Sequence, residues 1–179
     1  YARILALVPT DVDLWVRKGD AHRRRNEPDD AHEAYDRALR LDAERRDALE
    51  GKAHVYLASN ERDRALRCLD RVLQIDGADP EGWKIRGDVL AAGNRTEDAL
   101  RSYDESLRLR DGDAGTWLAR AELLRRSGKN VEAIASYDRG IGLAPKLLAL
   151  RTGRLESLRA LARWDDVVRE ASKVLAAEP

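Results

Sequence analysis

Residues 83–103 read WKIRGDVLAAGNRTEDALRSY, and the spacing within this stretch decides the fold. Trp83, Gly87 and Leu90 fall at intervals of four and three, which places them on one face of a helix. Ala99, Tyr103 and Ser106 then share one face of a second helix. Between the two lies Asn94, a residue type that tolerates the left-handed conformation ending a helix. Thr96-Glu97-Asp98 supplies a cap and acids where the second helix must open. The stretch is therefore a helical hairpin with a short turn.

The hairpin recurs along the whole chain. Trp83 and Trp117 are 34 residues apart, as are Tyr103 and Tyr137. The same step backwards from Trp83 meets Leu49 and Trp15, and from Tyr103 it meets Leu69, Tyr35 and Tyr1. The repeats are 12–45, 46–79, 80–113, 114–147 and 148–179, preceded at 1–11 by the tail of another. The first helix of each repeat (helix A) is predicted over 12–25, 46–59, 80–93, 114–127 and 148–161. The second (helix B) is predicted over 29–42, 63–76, 97–110, 131–144 and 165–177. Asn26, Asn60, Asn94 and Gly128 recur just past helix A, and Pro28-Asp29-Asp30 and Asn130 ahead of Glu132 open helix B. Small residues mark where the two helices touch: Gly19 with Ala31, Ala53 with Ala65, Gly87 with Ala99 and Ala121 with Ala133. The class is all-α, a solenoid of antiparallel hairpins in which the interface between neighbours carries the stability.

Trp83-x-x-x-Gly87-x-x-Leu90 followed by Ala99-x-x-x-Tyr103 resembles the tetratricopeptide repeat signature, with Pro9, Pro145 and Pro179 at its closing proline phase. The resemblance covers essentially the whole chain. Lys18 and Arg86 stand where leucine is usual before the glycine, and Ala43, Gly77 and Asp111 replace the closing proline. The fifth repeat departs most: Arg151 takes the Trp or Leu phase, Leu155 and Val167 replace the small pair, and Ala171 replaces the tyrosine. Those exchanges predict a repacked, wider hairpin. The resemblance implies a right-handed superhelix with helices A lining a concave groove, and a non-catalytic scaffold that holds a protein or peptide there.

Composition agrees with a folded helical protein. Charged residues make up 37% of the 179, yet apolar residues reach 43%, too many for a disordered chain. The 33 Lys and Arg balance 33 Asp and Glu, which argues against a dedicated nucleic-acid binder. No apolar run is long enough to cross a bilayer, so no membrane contact is expected. The lone Cys68 suits a reducing compartment, and a cytoplasmic location is expected. A chain that opens at Tyr1 and has no methionine is expected to be a piece of a longer protein.

Little in the sequence points to catalysis. The three histidines are not at metal spacing, no glycine-rich phosphate loop is present, and neither cofactor nor metal is expected. His22 is expected in a packing role, and His32 exposed with no partner at ligand spacing. Cys68 reads as a small filler beside the packing position Leu69. The runs Arg23-Arg24-Arg25 and Arg125-Arg126 end helices A, where the dipole favours cations and Asp20 and Glu122 are within pairing distance.

By the resemblance, the groove is lined by the second, fifth, ninth, twelfth and thirteenth residues of each repeat. The ninth residues are Asp20, His54, Asp88, Glu122 and Glu156, so acids dominate and only Lys84 matches the carboxylate clamp of some family members. The middle of the groove is expected to be acidic, with Asp47, Glu50, Glu81 and Asp88 against Lys84 and a neutral His54. Leu57, Ala58, Ala91 and Ala92 form a small apolar floor, and Glu50 and Asp88 have Lys52 and Lys84 as pairing candidates. The expected ligand is a peptide combining Lys or Arg with a small apolar residue, with the Arg23-Arg24 and Arg125-Arg126 doublets as the alternative contact for an acidic one. Two competing readings are weak end-to-end self-association through incomplete terminal hairpins and, less favoured, an RNA-binding helical repeat.

Overall fold

The computed structural model describes residues 5 and 7–177, and within these it places ten helices. They are α1 (Val12–Arg24), α2 (Pro28–Leu41), α3 (Arg46–Ala58), α4 (Arg62–Ile75), α5 (Pro80–Ala92), α6 (Thr96–Leu109), α7 (Ala114–Arg126), α8 (Asn130–Leu143), α9 (Leu148–Ala160) and α10 (Trp164–Ala177). Every helix A begins at its predicted residue and every helix B one residue earlier than predicted. Tyr1 and Pro179, which carried the tyrosine and proline phases to the ends, lie outside the described residues. The chain forms two compact units, residues 1–82 and 83–179.

The hairpin turns are built alike. Asn26, Asn60 and Asn94 have φ of 60°, 62° and 58°, and Gly128 has 77°. In each, this residue's N–H returns to a carbonyl three back (Asn26 to Arg23, 3.0 Å), and the next N–H reaches five back (Glu27 to His22, 3.0 Å). These paired bonds satisfy the last carbonyls of helix A. The fifth turn makes the same bonds with Ala162 at φ 54°, where a Cβ is penalised. Ala162→Gly is therefore expected to raise the stability of the fifth hairpin by about 0.5–1 kcal/mol, read as a higher urea midpoint. An unchanged or lower midpoint would mean that the alanine is unstrained.

Helix A has its own start signal. The Asp11 carboxylate accepts from the Leu14 N–H at 3.0 Å, Asp79 from Glu81 at 3.1 Å and Asp113 from Gly115 at 3.0 Å. Burial alone would raise Asp113, but the Thr116 hydroxyl and the Gly115 N–H overcome it and hold the carboxyl below its ordinary range. Helix α2 instead opens on Pro28, whose missing N–H has no partner to lose there.

In the first unit the core gathers Val16, Ala31, Tyr35, Ala38, Ala48 and Val55, with Trp15 partly covering it. In the second, Ala99, Tyr103, Ala121, Ala133, Tyr137, Leu150 and Leu158 are buried. The small pairs are buried as expected, but the reason Gly19 and Gly87 must be small is a tyrosine ring. A Cβ on Gly19 would stand 2.5 Å from the Tyr35 ring, and one on Gly87 2.5 Å from that of Tyr103. Gly51 also abuts Tyr35, so that ring is wedged between its own helix A and the next, and Gly153 of the next helix A abuts Tyr137. Trp83 is only half-buried.

The fifth repeat is rebuilt around charge. The Trp15 and Trp117 indole N–H groups donate to carbonyls six residues back, Pro9 and Asp111, both at 2.8 Å. Arg151 stands at their phase and repeats the bond, donating to Pro145 at 3.2 Å. Its other end and that of Arg154 each reach Glu170 at 3.0 Å, and that carboxylate is 3% exposed. Leu155 and Val167 are half-buried beside this triad.

Candidate functional site

The face of helix A that carries the ninth residue of each repeat is tied to the core through the tyrosines. The Tyr35 hydroxyl donates to Asp20 at 2.8 Å, Tyr103 to Asp88 at 2.7 Å and Tyr137 to Glu122 at 2.8 Å. Burial, then the carboxylate acceptor, pushes all three phenols well above the ordinary tyrosine value, so they stay protonated as donors. In the second repeat, where Leu69 replaces the tyrosine, the ninth residue is His54. Three of the acids read from the sequence as groove residues thus also hold the hairpins together, and their carboxylates are fixed in position.

In the first unit, Asp20 pairs with Arg23 at 3.5 Å, three residues on, as the spacing predicts. Glu50 is taken by Arg46 at 2.6 Å, and not by either candidate lysine. Lys52 goes to Asp36 at 2.5 Å. Arg46 also binds Asp76 at 2.8 Å and Asp79 at 2.6 Å, so one guanidinium joins three acids. His54 is exposed on α3, within electrostatic reach of Arg23, Glu50 and Asp20. Partial desolvation and the Arg23 charge hold its imidazole below the ordinary value, hence neutral at pH 7. Asp20, Glu50 and His54 therefore come together across α1 and α3, with Leu57 half-buried one turn beyond.

In the second unit, Asp88 is exposed and Lys84 half-buried on α5, while Ala91 is buried and only Ala92 presents an apolar surface. This corrects the expected floor, which counted Ala91 as open. Glu122 accepts from Tyr137 through one oxygen and from Arg125 at 2.8 Å through the other. Arg125 also reaches Glu156 at 3.0 Å, tying α7 to α9. Arg126 is exposed at the end of α7.

Of the two histidines outside this face, His32 departs from its expected exposure. His32 is half-buried, with its ring 4.3 Å from that of Tyr56, and burial lowers its pKa. His22 bonds Glu27 across the turn at 2.6 Å, and its ligand atom lies within 4.8 Å of those of Glu27 and Asp30. Cys68 is half-buried and its thiol is raised by burial, as a filler's would be.

A ladder of ion pairs also joins successive repeats within each unit. The seventh residue of helix A is always basic, and in at least three places among the described residues it grips an aspartate of the preceding helix B. These pairs are Lys52 with Asp36, Arg120 with Asp104 at 2.7 Å and Arg154 with Asp138 at 2.6 Å. The signal was present, since an Asp recurs at 36, 70, 104 and 138 and a base 16 residues after each.

Among the described residues no helix is long and apolar enough to cross a membrane. Tetratricopeptide repeat family models match residues 22–89 and 86–147, and no curated protein matches the chain. Among solved structures, the crystal structure of MamA protein is similar with a TM-score of 0.87 at 18% identity, over 93% of this chain and 91% of that one. YrrB, a TPR protein with an unusual peptide-binding site, gives 0.83 at 17% identity, over 99% and 92%. MamA from Desulfovibrio magneticus RS-1 gives 0.84 at 15%, over 93% and 94%. At such identities these likenesses speak for the fold, which agrees with the repeats, turns and wedged tyrosines described above. The chain belongs to the tetratricopeptide repeat family, whose arrays serve as scaffolds for protein interactions.

Proposed function

We propose that the chain is a non-catalytic scaffold that binds a peptide segment carrying Lys or Arg on the exposed face of its helices A. The observation that carries this reading is the pinning of Asp20, Asp88 and Glu122 by buried tyrosine hydroxyls. Side chains already held in place lose little freedom when a ligand arrives, so more of the interaction appears as affinity. Glu50 and the neutral His54 extend the acidic face in the first unit, and Leu57 and Ala92 offer small apolar contacts. YrrB is described as having a peptide-binding site, and the likeness of fold supports the same use of this face.

Because the tyrosines depend on these acids, charge reversal would confound binding with folding. Asp20→Asn, Asp88→Asn and Glu122→Gln keep an amide oxygen for each hydroxyl while removing the charge. Peptides selected on the wild-type chain from a random display library are expected to be enriched in Lys and Arg. The triple variant should bind them about tenfold or more weakly with unchanged helical content, and the salt dependence of binding should flatten. Selected peptides that lack basic residues, or equal affinity for the variant, would rule the reading out.

A second reading, self-association, is favoured by Trp164 and Val168, which are 60% and 67% exposed four residues apart on α10. Concentration-dependent sedimentation abolished by Trp164→Glu would support it, and a monomer at every concentration would dismiss it.

A further inference from the structure

Helix α4 breaks the charge pattern of the other helices B. Its sequence holds four arginines (Arg62, Arg64, Arg67 and Arg71) against Asp63 and Asp70, whereas α2 and α6 each carry four acids against two arginines. Three of the four arginines, with Lys52 from α3, line a cavity of about 220 Å³ whose apolar walls are Leu39 and Leu49. Tyr56 forms another side, with Lys52 and Arg64 each 5.7 Å from its ring centre.

The positive charge in this cavity is only half neutralised. Asp36 takes Lys52 at 2.5 Å and Glu61 takes Arg64 at 2.7 Å. Arg71 donates to a neutral group, the Ala43 carbonyl, at 2.6 Å, and Arg67 has no hydrogen-bond or ion-pair partner among the described residues. No acid lines the cavity. At the same phase of the second unit a cavity of about 380 Å³ is lined by Arg108, Arg120 and Arg139, with Asp104 in its wall and Ala135 where Arg67 stands. Two of these arginines are paired, Arg120 with Asp104 and Arg108 with Glu105. Cationic walls thus recur with the repeat, but the pocket of α3 and α4 is the more positive, with four cations and no acid in its lining.

We infer that the pocket of α3 and α4 is a second docking site, which takes an aspartate or glutamate side chain from an acidic segment of a protein partner. The methylene stem lies against Leu39 and Leu49, and the carboxylate is held by Arg67 and Arg71. At 100° per residue, Leu49, Lys52 and Tyr56 lie on the side of α3 away from Glu50, His54 and Leu57. The site is therefore separate from the acidic face proposed above, and either can fail without the other.

The test uses fluorescence anisotropy of the whole chain with a dye-labelled decapeptide of alternating Glu and Asp, and its Gln/Asn counterpart, at low salt. The acidic peptide is expected to bind and the amide peptide not to. Arg67→Glu with Arg71→Glu should weaken binding at least tenfold, and Arg67→Gln, which removes no contact of the fold, several-fold. A control with the same charge change at the start of α6, Arg95→Glu with Arg101→Glu, should alter affinity less than threefold. No binding of the acidic peptide, undiminished binding by Arg67→Gln, or an equal loss from the α6 control would overturn the assignment.

Discussion

Glu170→Leu is expected to destabilise the fifth hairpin by about 3–5 kcal/mol. The carboxylate is buried and receives both Arg151 and Arg154 at 3.0 Å, and their side chains are themselves largely covered. Removing it leaves two guanidiniums facing each other in a poorly solvated space, which costs far more than the pair contributed when intact. Arg151 keeps its bond to the Pro145 carbonyl and Arg154 its pair with Asp138, so neither can turn freely to solvent. Adding Arg151→Leu should recover part of the loss, because replacing both members of a buried pair with apolar groups is often nearly neutral. In a stacked array the damage is felt mainly by neighbours, so the loss should appear as faster amide exchange in α9 and α10. Unchanged exchange there, with an unchanged urea midpoint, would mean that Glu170 is solvated and not part of a triad.

Tyr35→Ala should cost about as much, roughly 3–5 kcal/mol, for a different reason. The ring has no exposed surface and fills the space that Gly19 and Gly51 leave on either side of it. Backbone flanking a glycine has no side chain to collapse into the void, so the cavity persists. Tyr35→Phe keeps the ring and loses only the bond to Asp20, an expected cost of about 1 kcal/mol. The two substitutions also differ in their dependence on pH. Folding raises the Tyr35 pKa, through burial first and the Asp20 bond second. Its contribution is therefore complete below the unfolded tyrosine value of about 10 and is lost as the pH climbs toward the folded value. Urea titrations should show a shallower alkaline fall for Tyr35→Phe than for the wild type. Equal costs for Ala and Phe would remove the ring from the core.

The architecture was legible because its determinants are local. The asparagine and glycine turns, the acids after them and the 34-residue step fix where each helix begins, and helix A boundaries followed to within a residue. Burial was harder to read. Trp83 shares the phase of Leu49, which is buried, yet is itself half-buried, so Trp83→Ala should cost less than a core tryptophan would. A phase says which side of a helix a residue takes, but not how deeply its neighbours cover it.

The site was half legible. The acids of the ninth positions were visible, but their second duty was not, because Tyr35 and Asp20 are 15 residues apart and meet only once the hairpin closes. One sign was available: acids accompany the tyrosines at 35, 103 and 137, and His54 accompanies Leu69. The repeat phase of Glu170 is a covered one, held elsewhere by Ala34, Cys68, Ser102 and Ser136, and a carboxylate there is the anomaly. Its anomaly gains meaning only beside that of Arg151, since a carboxylate enters a core when cations come with it.

The most direct test of the proposed function is to map amide chemical shifts on adding a selected Lys- or Arg-bearing peptide to the isotope-labelled chain. The acidic-face account predicts that the largest changes fall at Asp20, Glu50 and His54 of α1 and α3, at Asp88 of α5, or at Glu122 of α7. Changes confined to α2, α4, α6 and α8 would contradict it.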